Sequence, residues 1–129
     1  MIDNKIITQA SKTNFCGLKK IYTHKSKMKN KICGDIINLE IIIKNHKFEL
    51  MRYETESCIY CQASASFLAN CIKQFSVKEF KKNFLIIKDL ANNKSVSKKY
   101  KKFEFLFDDK NRIDCALLPF NAILKACKI

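Results

Sequence analysis

Glycine and proline are nearly absent, at two and one in 129 residues. That scarcity disfavours a loop-rich disulfide scaffold, a collagen-like repeat and a long flexible linker. Long apolar runs are missing as well. Aliphatic stretches are as short as Ile41-Ile42-Ile43, far below the roughly 20 residues that span a bilayer, so no membrane partner is expected. The first ten residues include Asp3, Lys5 and Gln9 and hold no signal-peptide apolar region. The expected compartment is therefore a reducing cytoplasm, where cysteines more often bind metal or react than bridge. Arginine is also scarce. Only Arg52 and Arg112 stand among 25 basic residues, the rest being Lys.

Acidic residues number 12, leaving a formal net charge of +13. Such a charge points by default to a polyanionic partner. Specific nucleic-acid recognition, however, favours the bidentate guanidinium over the ammonium. Lys, Ile and Asn supply 51 residues, and all three have AT-rich codons, so a biased genome is a sufficient cause of the charge. A solvated Lys-rich surface is the default reading. An acidic protein partner comes next and nucleic acid last.

Hydrophobic residues make up 47% of the chain and include ten Phe. That is enough for a core, and one domain over residues 1–129 is expected. Residues 1–13 read as a short weak helix or a frayed end. Gly17 to Tyr22 reads as a short strand within an otherwise irregular basic stretch. Ile37, Leu39, Ile41 and Ile43 alternate with their neighbours, which predicts a half-buried strand over Ile36 to Lys44. Asn45-His46 is a turn signal, and Phe48 to Thr55 a second strand. A turn centred there sets Ile43 against Phe48, Ile41 against Leu50, Cys33 against Cys58 and Asp35 against Glu56.

From Cys61 to Gln74 the period becomes helical, with Ala65, Leu68, Ala69, Ile72 and Phe75 on one side. Ser76-Val77-Lys78-Glu79 fits a capping box for a helix carrying Phe80, Phe84, Ile87 and Leu90. Ala91 to Lys102 reads as loop or surface helix. Phe103, Phe105 and Phe107 alternate like a strand in a segment too short to decide. Pro119 suits the first turn of a last helix from Leu118 to about Cys127.

The chain has seven cysteines. Cys33-Gly34-Asp35 stands at the entry of the first clear strand. Residues i and i+2 of an extended chain point the same way, so the Cys33 thiol and Asp35 carboxylate can converge. Cys58 precedes one helix, with Ser57 as its cap, and Cys115 precedes another, with Arg112 close by. A helix N-terminus favours the thiolate. Cys33, Asp35, Cys58 and Cys115 make a reasonable S₃O set for zinc or iron. On spacing alone, a metal site, buried structural cysteines and redox chemistry all remain open. Cys58-x-x-Cys61 has no second CxxC, so a zinc ribbon is not indicated. His24 and His46 are poor ligand candidates by position.

Three segments carry a resemblance: Asn30-Lys31-Ile32-Cys33-Gly34-Asp35, Cys58-Ile59-Tyr60-Cys61-Gln62-Ala63-Ser64-Ala65-Ser66, and Arg112-Ile113-Asp114-Cys115-Ala116-Leu117-Leu118-Pro119-Phe120. From about Asn14 to the end, the chain resembles the NifU N-terminal/IscU/SufU family of iron–sulfur cluster assembly scaffolds. The resemblance implies an α+β fold, a three-stranded antiparallel sheet with helices packed on it (SufE/NifU-like). It implies ligation of iron, a transient [2Fe–2S] cluster or zinc by Cys33, Asp35, Cys58 and Cys115. It further implies sulfur received from a cysteine desulfurase, with Cys33 (SufU branch) or Cys115 (IscU branch) as persulfide acceptor, and delivery to iron–sulfur acceptor proteins. The protein is expected to be a carrier rather than an enzyme, and a monomer or weak dimer.

Lys31 or Ile32 replaces a usual Pro, and Ser57 a usual Gly. The Leu-Pro-Pro-Val-Lys motif is missing, and Asp114 stands where the IscU branch has His. These departures, with Leu-Leu-Pro-Phe after Cys115, lean to the SufU or general NifU-like branch. Cys61 and Arg112 are accessory candidates, Cys61 as a buried helix-start residue or a sulfur relay. Cys16, Cys71 and Cys127 match no motif. A zinc-dependent SufU-like sulfur-transfer protein is the alternative function. A basic nucleic-acid-binding domain with a structural zinc is a more distant one.

Overall fold

The computed structural model describes residues 2–129. The elements run α1 (Asn4–Ala10), β1 (His24–Lys29), β2 (Ile36–Lys44), β3 (Lys47–Glu56), α2 (Ile59–Cys71), α3 (Val77–Ala91) and α4 (Ile113–Cys127), with a long 3₁₀ segment, Lys98–Phe107, before α4. The strands form one antiparallel sheet in the order β1-β2-β3. This is the expected α+β fold.

The β2–β3 hairpin forms because its apolar residues alternate and its turn can be made. Asn45 and His46 both take positive φ, 52° and 63°, as a two-residue hairpin turn that matches strand twist requires. Ile37, Leu39 and Ile41 are fully buried on one face. The simple register fails after two pairs, Lys44 with Lys47 and Ile43 with Phe48. Ile43 faces Phe48 as expected, but Ile42 faces Leu50 and Ile41 faces Met51. Glu49 is an extra residue, a bulge that shifts every later pair by one. Ile36 therefore lies opposite Glu56, and Asp35 does not. The bulge lets Phe48, Met51 and Tyr53 all reach the core while the charged Glu49 stays exposed.

The first strand is His24–Lys29 rather than Gly17 to Tyr22. Its exposed positions are Lys25, Lys27 and Lys29, and its inward positions are His24, Ser26 and Met28, so it has almost no hydrophobic alternation to read. Residues 17–22 instead cross the outer face of the sheet. There the buried Glu40 carboxylate accepts from the backbone N–H of Lys19 at 2.8 Å and of Lys20 at 3.0 Å. Gly17, at φ 108°, makes the bend into that crossing.

The helices pack on the opposite face. α2 touches α1, α4 and β3, and residues on nearly all its sides are buried. The small run Ala63-Ser64-Ala65-Ser66 permits this close approach. Within the N-terminal stretch α1 is anchored: Ile6 is fully buried and Gln9 donates to Ser66 Oγ at 3.0 Å. α3 starts as predicted, Ser76 Oγ accepting from the Glu79 N–H at 3.1 Å, and buries Phe80, Phe84 and Ile87. The three alternating Phe do not make a strand. Tyr100, Phe103 and Leu106 are buried at a spacing of three, the 3₁₀ period.

The last helix begins at Ile113, well before Leu118, and Pro119 lies inside it. Proline has no N–H for the carbonyl four residues back, that of Cys115. The next carbonyl, that of Ala116, accepts from Ser64 Oγ at 2.5 Å. No helix among the described residues is long and apolar enough to cross a membrane.

Candidate metal centre

Three chain segments meet at one end of the sheet. The first is the turn before β2. Asn30 Oδ1 accepts from the Ile32 N–H at 2.9 Å, and the Gly34 N–H returns to the Asn30 carbonyl at 2.8 Å. Gly34 has φ 79°, in the left-handed region that suits glycine. This closed turn holds Cys33 at the exposed surface. Asn30 shapes this turn through its own side chain, as Asn does in turns.

Asp35, next after Gly34, points inward and is 6% exposed. Its Oδ1 accepts from the Cys58 backbone N–H at 3.2 Å. Its Oδ2 is buried with no hydrogen-bond partner. An ionisable group left this way is costly unless something pairs with it.

Cys58 is the N-cap residue of α2, with extended backbone and no side-chain capping bond. Ser57 is therefore not the cap. The Ser57 hydroxyl instead meets the Cys58 carbonyl. Cys58 is half-buried.

Cys115 lies within the first turn of α4, not ahead of the helix. It is 3% exposed, and its Sγ is 3.5 Å from Cys33 Sγ. The ligand atoms of Cys33, Asp35 and Cys115 all lie within 4.8 Å of one another. Cys58 is not a member of that trio. It still bears on it as one of the smaller influences that raise the Cys115 thiol.

The electrostatics differ from the expected thiolate preference at Cys115. Burial pushes the Cys115 thiol far above its ordinary range, and the neighbouring Cys33, Asp35 and Cys58 add to the rise. Desolvation disfavours the anion more than the helix terminus favours it. Arg112, at the N-cap of α4, is exposed. Its guanidinium is held above its usual value by a hydrogen bond to Cys115, then by the charges of Cys58 and Cys115.

The other cysteines separate by burial. Cys61 is fully buried, and burial pushes its thiol up to about 12. Cys71 is pushed up to about 11 by burial. Cys127 is half-buried and Cys16 exposed, and neither belongs to the trio. His24 is engaged with Thr23 Oγ1 at 2.8 Å, and His46 sits in the hairpin turn.

With this geometry in view, the sequence matches the NifU-like N terminal domain over residues 4–128. The chain belongs to that family. Two solved structures share the fold of this NifU-like chain. One is a nitrogen-fixing NifU-like protein (N-terminal) from Brucella abortus, with TM-score 0.85 and 17% identity, covering 98% of this chain and 91% of that one. The other, from the thermophile Fervidobacterium islandicum AW-1, is described as a candidate iron–sulfur cluster assembly scaffold protein for the SUF system. It has TM-score 0.84 and 19% identity, covering 97% and 95% of the two chains. No curated protein matches the chain in sequence.

Proposed function

We propose that this NifU-like chain accepts sulfur from a cysteine desulfurase, binds iron, assembles a transient [2Fe–2S] cluster and passes it to acceptor proteins in the cytoplasm. Cys33, Asp35, Cys58 and Cys115 are its ligands, and Arg112 is an accessory residue beside them. The observation that carries this reading is the convergence of two thiols and a carboxylate whose Oδ2 is buried without a partner. Soft sulfur donors with one hard oxygen suit iron or zinc, and a cation would pair the orphaned oxygen.

Exposure favours Cys33 as the first sulfur acceptor, since Cys115 is buried. In that step the Cys33 thiolate attacks the outer sulfur of the desulfurase persulfide. A new S–S bond forms on Cys33, the bond to the desulfurase breaks, and the desulfurase cysteine leaves as thiolate. Asp35 is the harder and more exchangeable ligand, which suits cargo that must leave. The role is that of a carrier, and the chain's own residues hold and orient rather than turn over a small molecule.

A second reading has its own support. Two sulfur ligands on one tetrahedral zinc lie about 3.8 Å apart, given Zn–S bonds of about 2.3 Å, and the Cys33–Cys115 separation is 3.5 Å. The trio is thus spaced for one ion, which favours a SufU-like zinc-dependent sulfur-transfer protein. Anaerobic reconstitution with a desulfurase, cysteine and ferrous iron tests both. Equal iron and acid-labile sulfide with cluster absorbance supports the scaffold. Tightly held zinc, persulfide on Cys33 and no labile sulfide supports the transfer protein.

A further inference from the structure

We propose that Cys33 and Cys115 form a persulfide-resolving pair, in which Cys115 displaces the sulfur carried on Cys33 as sulfide and leaves a Cys33–Cys115 disulfide. The inference rests on the reading of Cys33 as sulfur acceptor. It adds a source of electrons that simple acceptance does not contain. Persulfide sulfur is at the oxidation level of elemental sulfur, whereas a cluster needs sulfide, two electrons lower.

The geometry suits the step. Cys115 Sγ stands 3.5 Å from Cys33 Sγ, close to van der Waals contact. A disulfide needs about 2.05 Å, so the two sulfurs must close by about 1.5 Å. Cys33 sits in a short turn whose Gly34 has no atom within 4 Å of where a side chain would be, so the turn has room to move. Cys115 is fixed inside α4 by burial, and its neighbouring carbonyl is held by Ser64. Displacement at sulfur is in line, so the leaving sulfur departs on the side of Cys33 away from Cys115. That is the exposed side of the turn.

Atoms and electrons balance. Cys33 carries S–SH and Cys115 carries SH. The Cys115 sulfur bonds to the inner sulfur of Cys33, the S–S bond of the persulfide breaks, and its electron pair leaves with the outer sulfur. The Cys115 proton goes to the departing hydrosulfide, giving hydrogen sulfide. The two cysteines are oxidised and the sulfur reduced. A dithiol reductant then reopens the disulfide before the next round. Cys33 is the partner of choice because its Sγ is in contact with Cys115 Sγ, whereas Cys58 lies outside the trio and Cys61 is fully buried.

The test uses the full chain, metal-free and anaerobic with chelator present. It is loaded either by a desulfurase with cysteine or by glutathione persulfide. Released sulfide is quantified and thiol state is mapped by peptide mass spectrometry. Sulfide and a Cys33–Cys115 disulfide should appear in equal amounts, and both should be lost in Cys115→Ser, where the persulfide stays on Cys33. Cys115→Ala serves if the serine variant fails to fold. A wild-type persulfide that persists as long as the variant's overturns the proposal. So does sulfide release without that disulfide, or failure of glutathione persulfide to load Cys33. Loading by glutathione persulfide but not by the desulfurase defeats the scaffold reading instead and leaves the pair intact.

Discussion

The backbone N–H of Cys58 donates to Asp35 Oδ1 at 3.2 Å, while Asp35 Oδ2 is buried with nothing to bond. One carboxylate thus ties the entry of β2 to the start of α2 with one oxygen and keeps the other for a ligand.

Removing that carboxylate should slow release. Asp35→Ala leaves three thiolates to hold the cargo and deletes the exchangeable oxygen. Bound cluster or metal should survive a chelator challenge longer than in the wild type, and transfer to an acceptor apoprotein should slow. Faster loss from the variant would contradict the role given to Asp35. Cys33→Ser, Cys58→Ser and Cys115→Ser should each abolish reconstitution, while Cys16→Ser should retain it.

Buried thiols should make the fold sensitive to alkali. The Cys61 thiol is neutral when protonated, and its value rises from 9.0 to about 12 in the folded state. Above pH 9 the unfolded chain loses this proton and the folded chain keeps it. The unfolded state then binds fewer protons, so stability falls as pH rises between 9 and 12. At pH 10 this one group costs about 1 kcal/mol. Urea midpoints at pH 7 and pH 10 should fall less steeply for Cys61→Ala than for the wild type. An identical slope in the two proteins would remove Cys61 from the effect.

Ser64 should matter to both stability and site. Its hydroxyl donates to the Ala116 carbonyl beside Pro119, where the helix ladder is already broken. Ser64→Ala should cost about 1 kcal/mol in chemical denaturation. It should also speed alkylation of Cys115, read by mass spectrometry under native conditions. Unchanged alkylation would show that Ser64 stabilises α4 without positioning Cys115.

The surface charge should confer little specific nucleic-acid affinity. Among the described residues only Lys44–Glu49 and Lys94–Asp89 form ion pairs, both exposed, so most ammonium groups are free. Any binding to duplex DNA at low salt should collapse steeply as salt rises. Affinity that survives moderate salt and depends on sequence would revive the nucleic-acid reading.

What the sequence made legible follows from which residues report burial. β2 was readable because Ile37, Leu39 and Ile41 face one way. β1 was not, because an edge strand of alternating Lys with His, Ser and Met has little hydrophobic signal. The bulge at Glu49 is invisible to period counting, since one inserted residue leaves both flanking patterns intact. Pro119 misplaced the start of α4 because proline is commonest in a first turn, while its support from Ser64 is tertiary. The site fared differently. Cys33, Asp35 and Cys115 of the four expected ligands lie together, while Cys58 lies outside that trio. The raised Cys115 thiol depends on burial that no local pattern records.

The edges of the sheet carry a further consequence. Tyr53 on the outer side of β3 is engaged by the Phe15 carbonyl and the Gly17 N–H, and Lys47 at its other end pairs with Ser76. Along β1, Lys25, Lys27 and Lys29 stand out from the strand, and Lys125 Nζ occupies the Lys27 carbonyl. Both borders are guarded against an added strand, one by backbone and one by charge. A strand added from another copy of this chain therefore meets an obstruction along either border.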